Sequence, residues 1–319
     1  MESEKATTAR RRLPAAFLGM AALILLLVAV SVHYGVVYFP AGRPIGVRPA
    51  ALAVVGSERL LVAGSSVSDP THGAIATSED GGLSWSSRQL DTPPVNGIAA
   101  SGDEVLLTAD CAHSGGPDCV WLSIDGGSSF ADSPGVPRLV RPSFDYKEGY
   151  VMTPDGSTLW VTDDAGRTWT QTGTACGSGG TVTIDWPSRM ASWTACAGSV
   201  SGGRQGRSIW STQEIMSSIG LGHDTGTLPS EGELLGISMT ADGHGWLWTN
   251  DRLYATSDGG RTWSAMKTQP GIPQLVVAAR IVSAQAGFAI LTDGSNRTLA
   301  RTEDGGKSWF GLPRFPDHV

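Results

Sequence analysis

The sequence lacks an excess of positive charge. Its 319 residues contain 23 Lys and Arg against 30 Asp and Glu, which gives a formal net charge of −7. Residues 1–39 contain four basic and two acidic side chains, so residues 40–319 carry a net charge of −9. Non-specific nucleic-acid binding requires a basic surface. The charge therefore excludes nucleic acid as the expected partner.

One stretch lacks charged residues altogether and is long enough to cross a membrane. Residues 15–39 contain no Asp, Glu, Lys or Arg. A helix of that length, at about 1.5 Å per residue, would span a bilayer core of roughly 30 Å. The three arginines at 10–12 precede it, and the positive-inside rule then predicts a cytoplasmic N-terminus. The alternative is a cleaved signal peptide, but that usually has an apolar core of only about 7–15 residues and a small-residue cleavage site.

An eight-residue pattern, Ser/Thr-x-Asp-x-Gly-x-Ser/Thr-aromatic, is repeated five times. Asp and Ser/Thr side chains accept hydrogen bonds from nearby N–H groups and close turns locally. The glycine permits positive φ, and the aromatic residue can anchor the turn on the sheet. The pattern therefore predicts five structural turns, which we call the repeat turns. Their defining residues are Ser78, Asp80, Gly82 and Trp85; Ser123, Asp125, Gly127 and Phe130; Thr162, Asp164, Gly166 and Trp169; Thr256, Asp258, Gly260 and Trp263; and Thr302, Asp304, Gly306 and Trp309.

The pattern resembles the Asp-box, or BNR repeat, of sialidases, sortilin-type receptors and photosystem II assembly/stability factors. The resemblance covers nearly all of the chain after the first forty residues. In that family the box is a hairpin turn on a β-propeller blade and is not catalytic. The resemblance therefore implies the architecture of the chain but does not select one function.

The spacing of the repeats predicts the number of blades. A sixth unit with a degenerate turn begins at Ser211, where Gln213 takes the Asp position and Ile215 the Gly position. The six starts lie 45, 39, 49, 45 and 46 residues apart, and four-stranded blades have a period of about 40–50 residues. We predict an all-β propeller of six four-stranded antiparallel blades, with seven as the alternative. The predicted domains are a basic N-terminus 1–14, a transmembrane signal-anchor helix 15–39, a linker 40–49 and a propeller ectodomain 50–319.

The closure of the ring has two possible forms. Residues 44–50 could add a strand to the last blade, or the first and last blades could pack against each other.

In either form the turns between strands 1 and 2 and between strands 3 and 4 of a meander lie on one face. The repeat turns therefore lie opposite the face that carries the 2–3 turns and the links between blades, which we call the loop face.

All four cysteines are predicted to lie on the loop face. An even number of cysteines beyond a membrane anchor suggests disulfides in an oxidising compartment. Their shared face favours the pairs Cys111–Cys119 and Cys176–Cys196 over the other two pairings. Their spacing does not fit a metal site, and we predict neither a metal nor a cofactor.

Long loops are also predicted on the loop face, and long loops on a rigid scaffold usually carry binding function. Three histidines lie in these loops without the spacing of metal ligands. The loops are 64–73, 110–119, 196–207 and 213–232, and the histidines are His72, His113 and His223.

Three functions are compatible with the resemblance. The first is a membrane-anchored, non-catalytic module that binds a protein or a glycan at the loop face. The second is a sialidase-like glycoside hydrolase, for which the resemblance implies an arginine triad, a Tyr–Glu pair and an Asp acid/base. Arg141 and Arg280 on inner-strand candidates could supply part of a triad, but none of the five tyrosines is well placed for a nucleophile. We therefore expect no enzymatic activity. A sortilin-like receptor is disfavoured because its additional cysteine-rich module is absent.

Overall fold

The described part of the chain consists of strands and turns only. The structure is a computed structural model, and it describes residues 45–109, 111, 120–133, 140–145, 148–152, 158–173, 181–188, 191–200, 204–212, 223–226, 228–229, 232–267, 275–312 and 315–316. These residues form 24 β-strands in six four-stranded antiparallel sheets. The all-β prediction is therefore confirmed. None of these residues forms a helix that could cross a membrane, and the predicted helix 15–39 lies outside the described residues.

Each sheet is formed by four consecutive strands, and we number the sheets as blades in chain order. Blade 1 has β1 (Val47–Val55), β2 (Arg59–Ser66), β3 (Gly73–Ser78) and β4 (Ser86–Gln89). Blade 2 has β5 (Val95–Ser101), β6 (Glu104–Ala109), β7 (Val120–Ser123) and β8 (Ala131–Asp132). Blade 3 has β9 (Val140–Asp145), β10 (Glu148–Met152), β11 (Leu159–Thr162) and β12 (Thr170–Gly173). Blade 4 has β13 (Thr181–Ser188), β14 (Ala191–Val200), β15 (Arg204–Thr212) and β16 (His223–Gly226). Blade 5 has β17 (Leu234–Met239), β18 (Gly245–Thr249), β19 (Leu253–Thr256) and β20 (Ser264–Ala265). Blade 6 has β21 (Leu275–Ile281), β22 (Gly287–Thr292), β23 (Arg297–Thr302) and β24 (Phe310–Gly311).

The core lies between the blades. Consecutive residues of β2, from Leu60 to Ala63, are all fully buried, although they point alternately to the two faces of the sheet. Leu61 and Ala63 pack with β5 and β6 of blade 2, whereas Leu60 and Val62 pack with β22 and β23 of blade 6. A strand whose two faces are both covered reads as a continuous apolar run, which explains the unbroken apolar segments of the sequence.

The first strands of the blades form a closed ring. β1 contacts β5, β5 contacts β9, and the series continues through β13, β17 and β21 back to β1. β1 pairs with β2 of its own blade, and blade 6 draws its four strands from one stretch of chain. The ring therefore closes by packing of the first blade on the last, not by a strand added to blade 6. β1 also begins at Val47, inside the segment predicted as a linker.

The C-terminal end of the described chain seals this closure. The Val47 N–H donates to the Pro316 carbonyl at 2.6 Å, and Arg297 Nη1 of blade 6 donates to the Pro49 carbonyl of blade 1 at 2.7 Å. The Phe315 ring is 8% exposed and meets the Trp85 ring edge-on, with the centroids 5.1 Å apart. Residues 315–316 are therefore part of the seam between blades 1 and 6.

Two of the predicted loops need correction. Residues 196–207 form mainly a strand pair, because β14 continues to Val200 and β15 starts at Arg204, directly opposite. Residues 213–232 contain β16, so His223 lies on a strand that pairs with β15. The connection between β15 and β16 joins the third and fourth strands of its blade. It therefore begins and ends on the face of the repeat turns, not on the loop face.

We predict that Phe315→Ala lowers the free energy of unfolding by about 3 kcal/mol, because it removes a buried aromatic ring from the closing seam. Phe310→Ala is the matched control, since this ring is 61% exposed and its loss should change stability by less than about 0.5 kcal/mol. Chemical denaturation of both variants measures the difference. Equal losses in the two variants would contradict the role of residues 315–316.

Candidate functional site

The repeat turns share one set of hydrogen bonds. In the first turn, the Ser78 hydroxyl donates to Asp80 Oδ1 at 2.8 Å and accepts the Gly82 N–H at 2.8 Å. The Ser84 N–H and hydroxyl donate to the two carboxylate oxygens of Asp80. The same four bonds recur in the turns that begin at Ser123, Thr162, Thr256 and Thr302. Each of the five carboxylates is therefore engaged within its own turn.

These bonds change the acidity of the carboxyl groups. Burial raises the pKa of Asp80, but the hydrogen bonds from Ser84 and Ser78 outweigh it and lower the pKa to about 2. For Asp258 the hydroxyl and N–H of Thr262 are the main cause, and the pKa is again lowered to about 2. The pKa values of Asp125, Asp164 and Asp304 are lowered by the equivalent donors. The five groups are thus anions at neutral pH and are unsuited to donate a proton to a substrate.

The turns need two residues with positive φ. Gly81 has φ of 72° and Gly82 has φ of 91°, and the glycine pairs at 126–127, 259–260 and 305–306 also have positive φ. Ala165, at the first of these two positions, is the only non-glycine residue with positive φ among those described. Sequence reasoning identified only the second position. The sequence signal for the first of the two positive-φ positions is the glycine found there in four of the five repeats.

The repeat turns share a face with the turns between first and second strands. The N–H of Gly81 donates to the Glu58 carbonyl at 2.7 Å, and the N–H of Gly126 donates to the Asp103 carbonyl at 2.8 Å. The N–H groups of Gly259 and Gly305 make the corresponding bonds in blades 5 and 6. We call this common surface the turn face.

The repeat turns of blades 2, 5 and 6 are also bound to the preceding blade. Arg59 of β2 donates through Nη2 to the Gly126 carbonyl at 2.8 Å. Trp193 of β14 and Trp246 of β18 donate through Nε1 to the Gly259 and Gly305 carbonyls, both at 3.2 Å. The donor is in each case a residue near the start of a second strand. These partners were not foreseen, because the contacts join residues 59 to 67 positions apart.

The turn face contains the mouth of a cavity of about 320 Å³ in the central channel. Because first strands end on this face, the cavity is lined by their C-terminal ends. The lining segments are residues 53–56 of blade 1, 99–102 of blade 2, 238–241 of blade 5 and 280–282 of blade 6, together with Asp185 of blade 4.

Asp185 connects three blades at this mouth. It is 5% exposed, and its Oδ1 accepts Arg280 Nη1 of blade 6 at 3.0 Å. Its Oδ2 accepts the Met239 N–H of blade 5 at 2.6 Å. A buried carboxylate is costly unless it is paired and hydrogen-bonded, and both conditions are met here. The sequence signal for Asp185 was a single acidic residue within an otherwise uncharged inner strand.

The structure places the other predicted residues as follows. Arg280 lies at the cavity, whereas Arg141 lies in β9 and its side chain is outside the described residues. Tyr254 is buried in β19, a third strand away from the channel. His72 lies in the loop 67–72, where its Nδ1 is 2.7 Å from Asp69 Oδ2. In the described ranges, no group of three or more His, Cys, Asp or Glu residues could hold a metal ion.

The cysteines are only partly described. Cys111 is 5% exposed and disulfide-bonded. Cys196 lies within β14 opposite Ser208, whereas Cys119 and Cys176 lie outside the described residues. The pairs Cys111–Cys119 and Cys176–Cys196 stay predictions.

Comparison with known proteins identifies the fold. No protein-family model matches the chain, and no curated protein matches it. Among solved structures, YCF48 bound to a D1 peptide is similar over 88% of each chain, with 16% identity and a TM-score of 0.51. A GH74 enzyme from Niastella koreensis is similar over 82% of this chain, with 14% identity and a TM-score of 0.54, and this chain matches 46% of it. A chain of a nidogen/laminin complex is similar over 79% of this chain and 92% of its own, with 8% identity and a TM-score of 0.55. At these identities the similarity shows a β-propeller fold.

We predict that acid removes the contribution of the turn carboxylates to stability. Their folded pKa is lowered below the unfolded value of about 3.9, so the contribution is complete above about pH 4 and is lost as the pH falls towards 2. Asp258→Asn should therefore be less stable than the wild type at pH 6, and the difference should shrink between pH 4 and 2.

Thermal unfolding at several pH values measures this effect. Asp132→Asn is the control for removal of a charge, because Asp132 is an exposed residue of β8 outside the repeat turns. A difference between wild type and Asp258→Asn that stays constant from pH 6 to 2 would refute the proposed source of the stability.

Proposed function

We propose that the chain is a membrane-anchored Asp-box propeller that binds or assembles a partner and has no catalytic activity. The observation that carries this proposal is the internal use of the five turn aspartates. Each of them accepts hydrogen bonds from its own turn. A catalytic acid must instead present a free carboxyl group to a substrate.

The binding surface is proposed to be the loop face. The turn face is occupied by turns that hydrogen-bond to each other and to neighbouring blades. On the loop face, the loop 67–72 presents exposed Pro70 and Thr71 on a fixed backbone. Val67 N–H donates to the Gly46 carbonyl at 2.9 Å, and Asp69 accepts from Thr71 and pairs with His72. A loop that is already ordered loses less conformational freedom when it binds.

The proposed partner is a protein segment, with a glycan as the other candidate. One of the structures with the same fold is YCF48 bound to a D1 peptide, so a propeller of this kind can hold a peptide. The proposed anchor, residues 15–39, would place the N-terminus in the cytoplasm and the propeller on the other side of the membrane. The partner would then be another membrane protein or a molecule at the outer surface.

A glycoside hydrolase of sialidase type is the second candidate. It is favoured by the fold shared with GH74 enzymes and by Arg141 and Arg280 on first strands. It is disfavoured because Arg280 Nη1 already binds the Asp185 carboxylate at 3.0 Å. The buried Tyr254 is also far from the role of a nucleophile, since it belongs to a third strand.

We predict that a photo-crosslinking amino acid at position 71 of the full chain, in native membranes, captures one defined partner. The same amino acid at position 83 is the matched control, because Leu83 is 63% exposed on the turn face. Mass spectrometry of the adducts identifies the partner, and competition with excess unmodified chain shows that the capture is saturable.

Two results would overturn the proposal. The first is equal capture of the same partner from positions 71 and 83, which would remove the preference for the loop face. The second is turnover of a fluorogenic sialoside by the full chain that is lost in Arg141→Ala, which would make the protein an enzyme.

A further inference from the structure

Among the described residues, the cavity at the turn face is lined by one acidic and one basic side chain, and they differ in accessibility. The Asp185 side chain is 7% exposed, whereas that of Arg280 is 22% exposed. Both oxygens of Asp185 accept hydrogen bonds, Oδ1 from Arg280 and Oδ2 from the Met239 N–H. A molecule that enters the cavity therefore meets the guanidinium group before the carboxylate.

Part of the Arg280 guanidinium remains available for a ligand. Its Nη1 binds Asp185, and within the described ranges its Nε and Nη2 have no hydrogen-bond partner. Neither atom is fully buried, and Arg280 is one of the residues that line the cavity. A guanidinium group presents its donors as a flat fork that matches the two oxygens of a carboxylate.

The surrounding wall suits a small ligand. Four alanines, at positions 53, 99, 100 and 241, line the cavity together with Arg280 and contribute little volume to its wall. Ser238, which also lines the cavity, is held in place because its hydroxyl oxygen accepts the Ile281 N–H at 3.2 Å. The volume of about 320 Å³ lies at the lower end of the range for small-molecule sites.

We propose that this cavity is a binding site for a small carboxylate-bearing molecule, held by the free donors of the Arg280 guanidinium. The site lies on the turn face and is therefore separate from the partner surface proposed on the loop face. Asp185 acts here as a positioning residue, because it holds the guanidinium in one orientation. A cation is a poor fit to Asp185, the acidic residue among the described lining residues, because both of its oxygens already accept hydrogen bonds.

The test is an NMR titration of the full, isotope-labelled chain in detergent micelles. Acetate and succinate are the probes, and acetamide and succinamide are their neutral counterparts of similar shape. The readout is the Nε–Hε signal of Arg280, assigned by its absence from the spectrum of Arg280→Lys. We expect a saturable shift of this signal with the carboxylates and none with the amides.

Three variants test whether the carboxylate binds in this cavity. Arg280→Lys keeps a cation beside Asp185 but loses the fork of donors, and it should weaken carboxylate binding at least about tenfold. Arg301→Lys is the matched control on the same blade, because Arg301 is 41% exposed and pairs with Glu303 at 2.9 Å. It should bind as the wild type does. Ala241→Phe, at an exposed position of the mouth, narrows the cavity without a change of charge and should also weaken binding.

Three outcomes would overturn the proposal. One is the absence of saturable binding by either carboxylate in the wild-type chain. Another is equal binding of carboxylates and amides, which would show that the charge is not recognised. The third is unchanged affinity in both Arg280→Lys and Ala241→Phe, which would place the binding elsewhere. Because the first two use the wild-type chain, they decide the question even if a variant does not fold.

Discussion

A buried hydroxyl at the end of the third strand is the constraint on which the ring depends. Ser78, Ser123, Thr162 and Thr302 are at most 2% exposed, and Thr256 is 7% exposed. A hydroxyl removed from water must find hydrogen-bond partners, and here it donates to the Asp two residues on and accepts the Gly N–H four residues on. This local requirement fixes the path of the turn. The path in turn directs the carbonyl of the preceding residue, as at Gly126, towards a donor on the neighbouring blade.

The aromatic residue extends the same arrangement into the core. Trp169 donates to Gly166 of its own turn and to the Ser133 hydroxyl, and it packs beside Leu106 and Val120 of the preceding blade. Trp309 lies against Trp246 of blade 5 with the ring centroids 5.4 Å apart. Gly82 has φ of 91°, a conformation that favours glycine, and it lies close to the Leu312 side chain that follows β24 of blade 6. Eight residues of sequence therefore encode both a turn and a contact between blades.

Features encoded within a short stretch could be predicted from the sequence, and features that depend on distant residues could not. The repeat turns and the unit at Ser211 were visible because their spacing is regular. β16 was missed because His-Asp-Thr-Gly has no apolar pattern, and the extension of β14 and β15 was missed because its glycines and serines are typical of a loop. The pairing of Asp185 with Arg280 spans 95 residues, and no local signal reports it. The candidate sites fall in this second class.

The repeat turns are structural, and recognition is left to the rest of the surface. These turns are as much a part of the folded core as the strands. Hydrogen exchange of the Gly82, Gly127, Gly166, Gly260 and Gly306 amides is the decisive measurement, because each donates to the buried hydroxyl of its turn. We expect these amides to be as protected as the β2 amides, and we expect Ser78→Ala to lose the protection at Gly82 alone. Exchange of all five amides at the rate of an exposed loop would show that the turns are not part of the folded core.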